Sequence, residues 1–211
     1  MPRGRFISVE GIEGVGKSSN IEVVVETLRE AGYEVLTTRE PGGTPLAEDI
    51  RDILKDRGDE DIPAVAEVLL MFAARSLNVN NVILPALEQG TWVVSDRFTD
   101  SSRAYQGAGR GLPAEHIDHL ADMVHGDNWP DLTILLDAPV DVGMARASSR
   151  SNPDRFEREK FEFFERVRDC YLGLAASEPA RFVVIDTTQP LAAVKDQVRA
   201  LMQRFISENS S

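Results

Sequence analysis

Phe6 to Ser19 reads F-I-S-V-E-G-I-E-G-V-G-K-S-S, an apolar run that breaks into glycines and ends on a lysine and two serines. Gly11, Gly16, Lys17 and Ser18 occupy the fixed positions of the phosphate-binding loop G-x-x-x-x-G-K-[ST]. Ile12, Glu13, Gly14 and Val15 fill its variable positions. Glycines at such a bend let successive backbone N–H groups close on a polyphosphate, where a bulkier side chain would hold it away. Lys17 is expected to reach the outer phosphates and Ser18 to ligate Mg²⁺. Ile7 and Val9 alternate with Ser8 and Glu10 as in a strand, and Ile21 to Leu28 has helical character. The loop therefore stands at a helix N-terminus, which favours negative charge.

Working outward, further Val- and Ile-rich runs recur at Glu34–Leu36, Trp92–Ser95, Leu132–Leu136 and Phe182–Ile185, besides Phe6–Val9. Short, continuous and bounded by turn residues, they predict strands buried on both faces of a parallel sheet. Between them, Val65, Val68, Leu69, Phe72, Ser76 and Val79 mark one helix, and Phe161, Phe164, Val167, Tyr171 and Leu174 another. Alternating strands and helices predict a doubly wound α/β fold, with ligands at the carboxyl ends of the strands. A length of 211 residues suits one domain, 1–211. Residues 146–158 carry one apolar side chain larger than alanine, Phe156, and read as a lid segment. Ser207–Ser211 read as a frayed polar tail.

The formal charge of −12 is unfavourable for a general grip on a nucleic-acid backbone. Small anions must then be held by local arginines and backbone N–H groups. A single cysteine, Cys170, excludes an internal disulfide and fits a reducing compartment. No apolar stretch reads as long enough to span a bilayer, and Met1–Phe6 lacks a signal-peptide core, so a cytoplasmic protein with no membrane partner is expected.

Candidate site residues follow the predicted strands. Arg39 stands at the end of the second, before a Pro41-Gly42-Gly43 turn. Asp96 and Arg97 end the third, where an acid can hold Mg²⁺ through water and an arginine can clamp phosphate; taken alone they also suit a surface ion pair. Asp100 to Gly107 is dense in hydroxyls and amides, with Ser102, Tyr105 and Gln106 as candidates; taken alone it also suits a polar loop. Phe72 and Arg75 lie on one helix face at i, i+3, as a base-binding wall or as ordinary core and surface. His116, His119 and His125 read as surface residues.

Taken together, G-I-E-G-V-G-K-S-S, R-E-P-G-G-T, L-L-M-F-A-A-R, S-D-R-F-T-D-S-S-R-A-Y-Q-G and D-R-F-E, in this order, resemble the bacterial thymidylate kinase family. The resemblance runs from Arg5 to about Phe205. It implies transfer of a phosphoryl group from ATP, with Mg²⁺, to dTMP. By similarity Gly11 to Ser18 hold the ATP phosphates, and Glu13 reaches the acceptor's sugar. Arg39 and Arg97 hold the acceptor phosphate; Phe72 stacks on thymine, Arg75 bonds its edge, and Ser102, Tyr105 and Gln106 line base and deoxyribose. A homodimer is also implied. Some members carry an arginine where this chain has Gly14, so Arg150 and Arg155 are expected to bring that charge from the lid, with Arg146 and Arg158 as further candidates. A GTP-dependent regulatory protein fits less well, since N-K-x-D and D-x-x-G are absent from the sequence. A kinase for another monophosphate, such as dUMP, stays open.

Overall fold

The computed structural model describes residues 2–55, 61–147, 155–157 and 159–209. Strands β1 (Phe6–Glu10), β2 (Val35–Arg39), β3 (Trp92–Asp96), β4 (Leu132–Asp137) and β5 (Phe182–Asp186) form one parallel sheet in the order β2-β3-β1-β4-β5. The central strand β1 is buried throughout, its polar Ser8 and Glu10 included, while the edge strands β2 and β5 are partly exposed. Helices α1 (Lys17–Glu30), α2 (Pro45–Lys55), α3 (Ala64–Asn78), α4 (Leu84–Glu88), α5 (Thr99–Ser102), α6 (Ala114–Val124), α7 (Val140–Ala147), α8 (Phe161–Ser177) and α9 (Leu191–Asn209) surround it. Two π-helical turns, Val79–Ile83 and Arg103–Gly109, continue α3 and α5.

Alternation of side chains along the strands divides the core. Ile7, Val9 and Val94 join Val23, Val24 and Leu28 of α1 and Phe164 and Tyr171 of α8. Phe6 and Val93 pack with Val79, Ile83 and Leu87. Each such side chain, fully buried, contributes roughly 1.5–3 kcal/mol before chain entropy is counted. A smaller cluster of Val68, Phe72, Ile117 and Ala121 fastens α3 to α6.

The expected strands are all present, and every one reaches further at its carboxyl end. The residues added there are Glu10, Thr37–Arg39, Asp96, Asp137 and Asp186, whose polar side chains hid the continuing ladder. Three expectations are corrected. The apolar period of α3 does not mark one buried face, because Val65 and Leu69 are about half exposed whereas Val68, Phe72 and Val79 are buried. The helical run Ala64–Glu88 is long and apolar enough, by length and composition, to cross a membrane. Here Val68, Phe72, Val79, Ile83 and Leu87 bury against the protein, as in a core helix. Ser207 to Asn209 belong to α9 rather than to a frayed tail. Of the expected lid, Arg146 and Ala147 end α7 and 155–157 form a turn, while 148–154 and 158, with Arg150 and Arg158, lie outside the described residues.

The connection between β1 and α1 touches α7 with no side chain between. Gly14 has φ 75°, and a Cβ built on it would lie 2.0 Å from the Gly143 carbonyl oxygen. A Cβ on Gly143 would lie 2.7 Å from the Glu13 carbonyl oxygen. Glycine inside a helix normally costs up to about 1 kcal/mol relative to alanine. Here the sign should reverse: Gly143→Ala is expected to lower stability by about 1 kcal/mol or more, measured by denaturant unfolding, because backbone must move to admit the methyl group. Unchanged or raised stability would show that α7 does not brace the loop.

Candidate active site

The carboxyl ends of β1, β2 and β3 open onto a cavity of about 260 Å³. Ladder register makes this inevitable, since Asp96 pairs with Val9 on one side and Arg39 on the other. Of the glycine-rich loop, Glu13, Gly14, Gly16, Lys17 and Ser18 line the cavity. Ile12 and Val15 are buried in the core and pin the loop from beneath. Lys17 Nζ donates to the carbonyls of Gly11 (3.1 Å) and Ile12 (3.0 Å), so the loop's own backbone holds the ammonium. Burial, reinforced by the nearby Arg97 charge, pulls the Lys17 pKa down to about 8.

Arg97 sits immediately after β3 with φ 71°, a left-handed conformation unusual for a residue with a side chain. Strain of this kind typically costs about 1–3 kcal/mol and persists only where the surroundings hold it. The Arg97 N–H donates to the Val9 carbonyl at 3.1 Å, and Ser95 Oγ donates to the Arg97 carbonyl at 2.7 Å. Its guanidinium donates to Glu13 (3.0 Å), Tyr105 OH (3.1 Å), Ser101 Oγ (3.1 Å) and Tyr171 OH (3.2 Å). Beneath it, fully buried Glu10 accepts from Phe98 N (2.7 Å), Ser101 Oγ (2.6 Å) and Tyr171 OH (2.8 Å). Burial, with the Asp100 charge, pushes Glu10 up to about 7. Tyr171 was legible as a core position of α8; its hydroxyl's place under the site was not.

Arg39 reaches the cavity and donates twice to Glu48, at 2.7 and 3.2 Å. Arg75 is 2 % exposed and almost fully spent. Its Nε donates to Glu40 at 2.6 Å, and its Nη2 donates to the Phe98 carbonyl (3.2 Å) and Ser102 Oγ (3.1 Å). Its buried Nη1 has no partner, and the residue lines the cavity. An unpaired guanidinium nitrogen in such a place suits an acceptor atom on a ligand. Ser102, Tyr105 and Gln106 also line the cavity, brought there by α5 and the π turn after it. Phe72 is buried beneath, with the Arg75 guanidinium 4.4 Å from its ring centroid, and is not among the cavity-lining residues. Arg155 is elsewhere too: it donates to Glu67 at 2.6 Å and to the Leu54 carbonyl at 3.0 Å.

Two cationic residues of the wall escaped the sequence reading. Arg51 and Lys55 of α2 line the cavity, and Arg51 donates to the Pro41 carbonyl at 2.8 Å. Their signal was present, since Glu48, Arg51 and Lys55 recur at helical spacing behind Arg39. The reading of His125 as a surface residue is corrected. It is buried, bonded to Thr99 Oγ1 at 2.8 Å, and burial pulls its pKa down to about 4.

For Mg²⁺, Ser18 and Asp96 both line the cavity, and the buried Asp96 Oδ1 has no hydrogen-bond partner. A hydroxyl and an unspent carboxylate oxygen beside a phosphate loop fit a cation that prefers oxygen ligands and keeps several of its own waters.

A family model described as thymidylate kinase matches residues 9–198. The chain belongs to the thymidylate kinase family. A thymidylate kinase of Pseudomonas fluorescens strain Pf-5 is 54% identical over 203 residues, covering 96% of this chain and 97% of that one. One of Methylococcus capsulatus strain Bath is 53% identical over 207 residues, with 98% and 99% covered. The crystal structure of thymidylate kinase from Ehrlichia chaffeensis superposes with a TM-score of 0.77 at 34% identity, covering 96% of this chain and 99% of that one. The five-stranded parallel sheet flanked by helices is thus the architecture of this family.

Lys17 gives this family member a pH signature. A polyphosphate favours the charged ammonium, so binding should raise the pKa from about 8 towards the ordinary lysine value of 10.5. Above pH 8 the free protein has lost part of that proton and must regain it on binding. Calorimetry of ATP binding near pH 8.5, in buffers of different ionisation enthalpy, should show uptake of a substantial fraction of one proton, absent in Lys17→Ala. Equal observed heats in all the buffers, meaning no proton uptake, would contradict the depressed lysine.

Proposed function

We propose that the chain transfers the γ-phosphoryl group of ATP to dTMP, giving dTDP and ADP, with Mg²⁺. The observation that carries this reading is the gathering of Lys17, Arg39, Arg51 and Arg97 around one cavity whose far wall offers the unpaired Arg75 Nη1. Two phosphate-bearing molecules brought together need that many cations, and a base edge needs a donor. In this reading the Gly11–Ser18 loop holds the ATP phosphates, Arg39 and Arg97 hold the acceptor phosphate, and Glu13 and Tyr105 stand beside the sugar. Ser18 and Asp96 would hold Mg²⁺, which would supply charge neutralisation at the phosphate oxygens. The attacking dTMP oxygen is already anionic, so no side chain has to remove a proton. An O–P bond forms at the γ-phosphorus as its bond to the β,γ-bridging oxygen breaks, and Lys17 and Arg97 meet the spreading charge. Phe72 lies one layer behind the base site, under Arg75. Arg150 and Arg155 are proposed to add charge at the transferred group; Arg155 must first leave Glu67.

Coupled detection of ADP over a panel of monophosphates tests the activity. Turnover with dTMP, its loss in EDTA, and a loss of at least about a hundredfold in kcat for Lys17→Ala with the fold retained are expected. Full activity in EDTA or in the variant would sink the mechanism.

A homodimer in a reducing, cytoplasmic setting is part of the same reading. Its support is the apolar side chains left in solvent on two packed helices: Val65 and Leu69 on α3, and Met123, 79% exposed, on α6. A second copy is the proposed occupant. Light scattering should give a dimer mass that falls to the monomer for Leu69→Asp; a monomeric wild type at high concentration would overturn it.

A further inference from the structure

Glu67 of α3 is a carboxylate at 0 % exposure that is not among the cavity-lining residues but touches one of them. Such a group costs several kcal/mol unless it is paired. Arg155 (2.6 Å) and Arg110 (3.3 Å) supply the charge. Its remaining contact is different in kind. Glu67 Oε1 accepts from the side-chain amide of Gln106 at 2.8 Å, and Gln106, itself 1 % exposed, lines the cavity.

A carboxylate has acceptors only, and Arg110 remains its partner whether or not Arg155 stays, so it can face only the NH₂ end of an amide. The opposite end of Gln106, its Oε1, is bonded to none of the described residues and is left for a ligand. Free in solution the two ends of an amide interchange by rotation about χ3; here the buried charge forbids one of the two states. In the lining of the same cavity Arg75 Nη1 can only donate. The wall thus presents a fixed pair, one acceptor and one donor.

We infer that Glu67 is a positioning residue that locks the Gln106 amide with its oxygen towards the base, and so sets which pyrimidine edge the site accepts. This rests on the dTMP reading of the cavity. An imide base offers N3–H to the Gln106 oxygen and O4 to Arg75. A 4-amino pyrimidine reverses both, setting a lone pair against the oxygen and an amine against the guanidinium. Buried polar groups left facing like partners are what make a hydrogen-bonding site reject a near isostere. The 5-methyl group is not read by this pair, so dUMP and dTMP present it with the same pattern.

The test compares kcat/KM for dTMP, dUMP and dCMP in the full-length protein and in Glu67→Gln. With the carboxylate replaced by an amide, the Gln106 end facing the cavity is no longer fixed. The dTMP/dCMP ratio should fall about tenfold to a hundredfold, chiefly through a higher KM for dTMP. The KM for ATP and the dTMP/dUMP ratio should hold. The swapped double variant Glu67→Gln/Gln106→Glu again sets an acceptor towards the base and should recover the dTMP/dCMP ratio.

A purely structural role predicts that all three substrates lose alike with the ratios intact, and that result overturns the inference, as does a folded swap that fails to recover the ratio. Should Glu67→Gln not fold, Glu67→Asp keeps the charge for Arg110 and Arg155 but draws the acceptor back from Gln106. The same fall is then expected, and a preserved ratio overturns the inference. A wild type that turns over dTMP while Glu67→Gln keeps its ratio sinks this inference alone; a wild type with no dTMP turnover sinks the activity with it.

Discussion

A cation taken out of water without an anion costs several kcal/mol, and the cavity of this protein is arranged around that constraint. Four of the cationic side chains that line it are held by groups of the protein itself. Lys17 leans on two loop carbonyls, Arg39 on Glu48, Arg75 on Glu40, and Arg97 on Glu13 and a ring of hydroxyls. These cations are therefore fixed in place by the protein's own acceptors. A phosphate entering the cavity would compete with those carboxylates and carbonyls for cations already in position.

Arg97 shows how the sheet meets that constraint. A β-strand delivers alternate side chains to opposite faces, so the residue after Asp96 would ordinarily turn away. The left-handed backbone at Arg97 and its bond to the Val9 carbonyl re-aim it, and Glu10 on the neighbouring strand anchors the Ser101 and Tyr171 hydroxyls beneath. The strain is local, and the partners come from β1 and the loop after it, from α5 and the π turn that continues it, and from α8. The position of Arg97 rests on three stretches far apart in the chain.

Much of this was legible in the chain, and the reasons for the rest are physical. Buried parallel strands announce themselves as apolar runs, and the glycine-lysine-serine loop has a geometry that few residues can satisfy. Strand ends were cut short because Asp96, Asp137 and Asp186 are polar yet still complete the ladder. Periodicity misled at Val65 and Leu69, since a 3.6-residue period locates an apolar face without saying what covers it. Arg51 and Lys55 were hidden among ordinary surface-helix charges, and His125 among neighbours of similar polarity. Nothing local to Phe72 distinguishes a ring that faces the cavity from one buried beneath the arginine that does. The π turn that carries Tyr105 and Gln106 into the cavity left no readable period.

The bare contact between Gly14 and Gly143 bears on how such a chain can change. A side chain at position 14 has no room while α7 runs where it does, because the first atom of any side chain already meets the Gly143 carbonyl. An arginine in the phosphate loop is thus not one codon away in any useful sense; the bracing helix would have to shift first, and with it the strand connection that leads into it. Loop charge and helix placement form a single inherited unit. A sequence could cross from one arrangement to the other only through paired changes, or through an intermediate that gives up the brace.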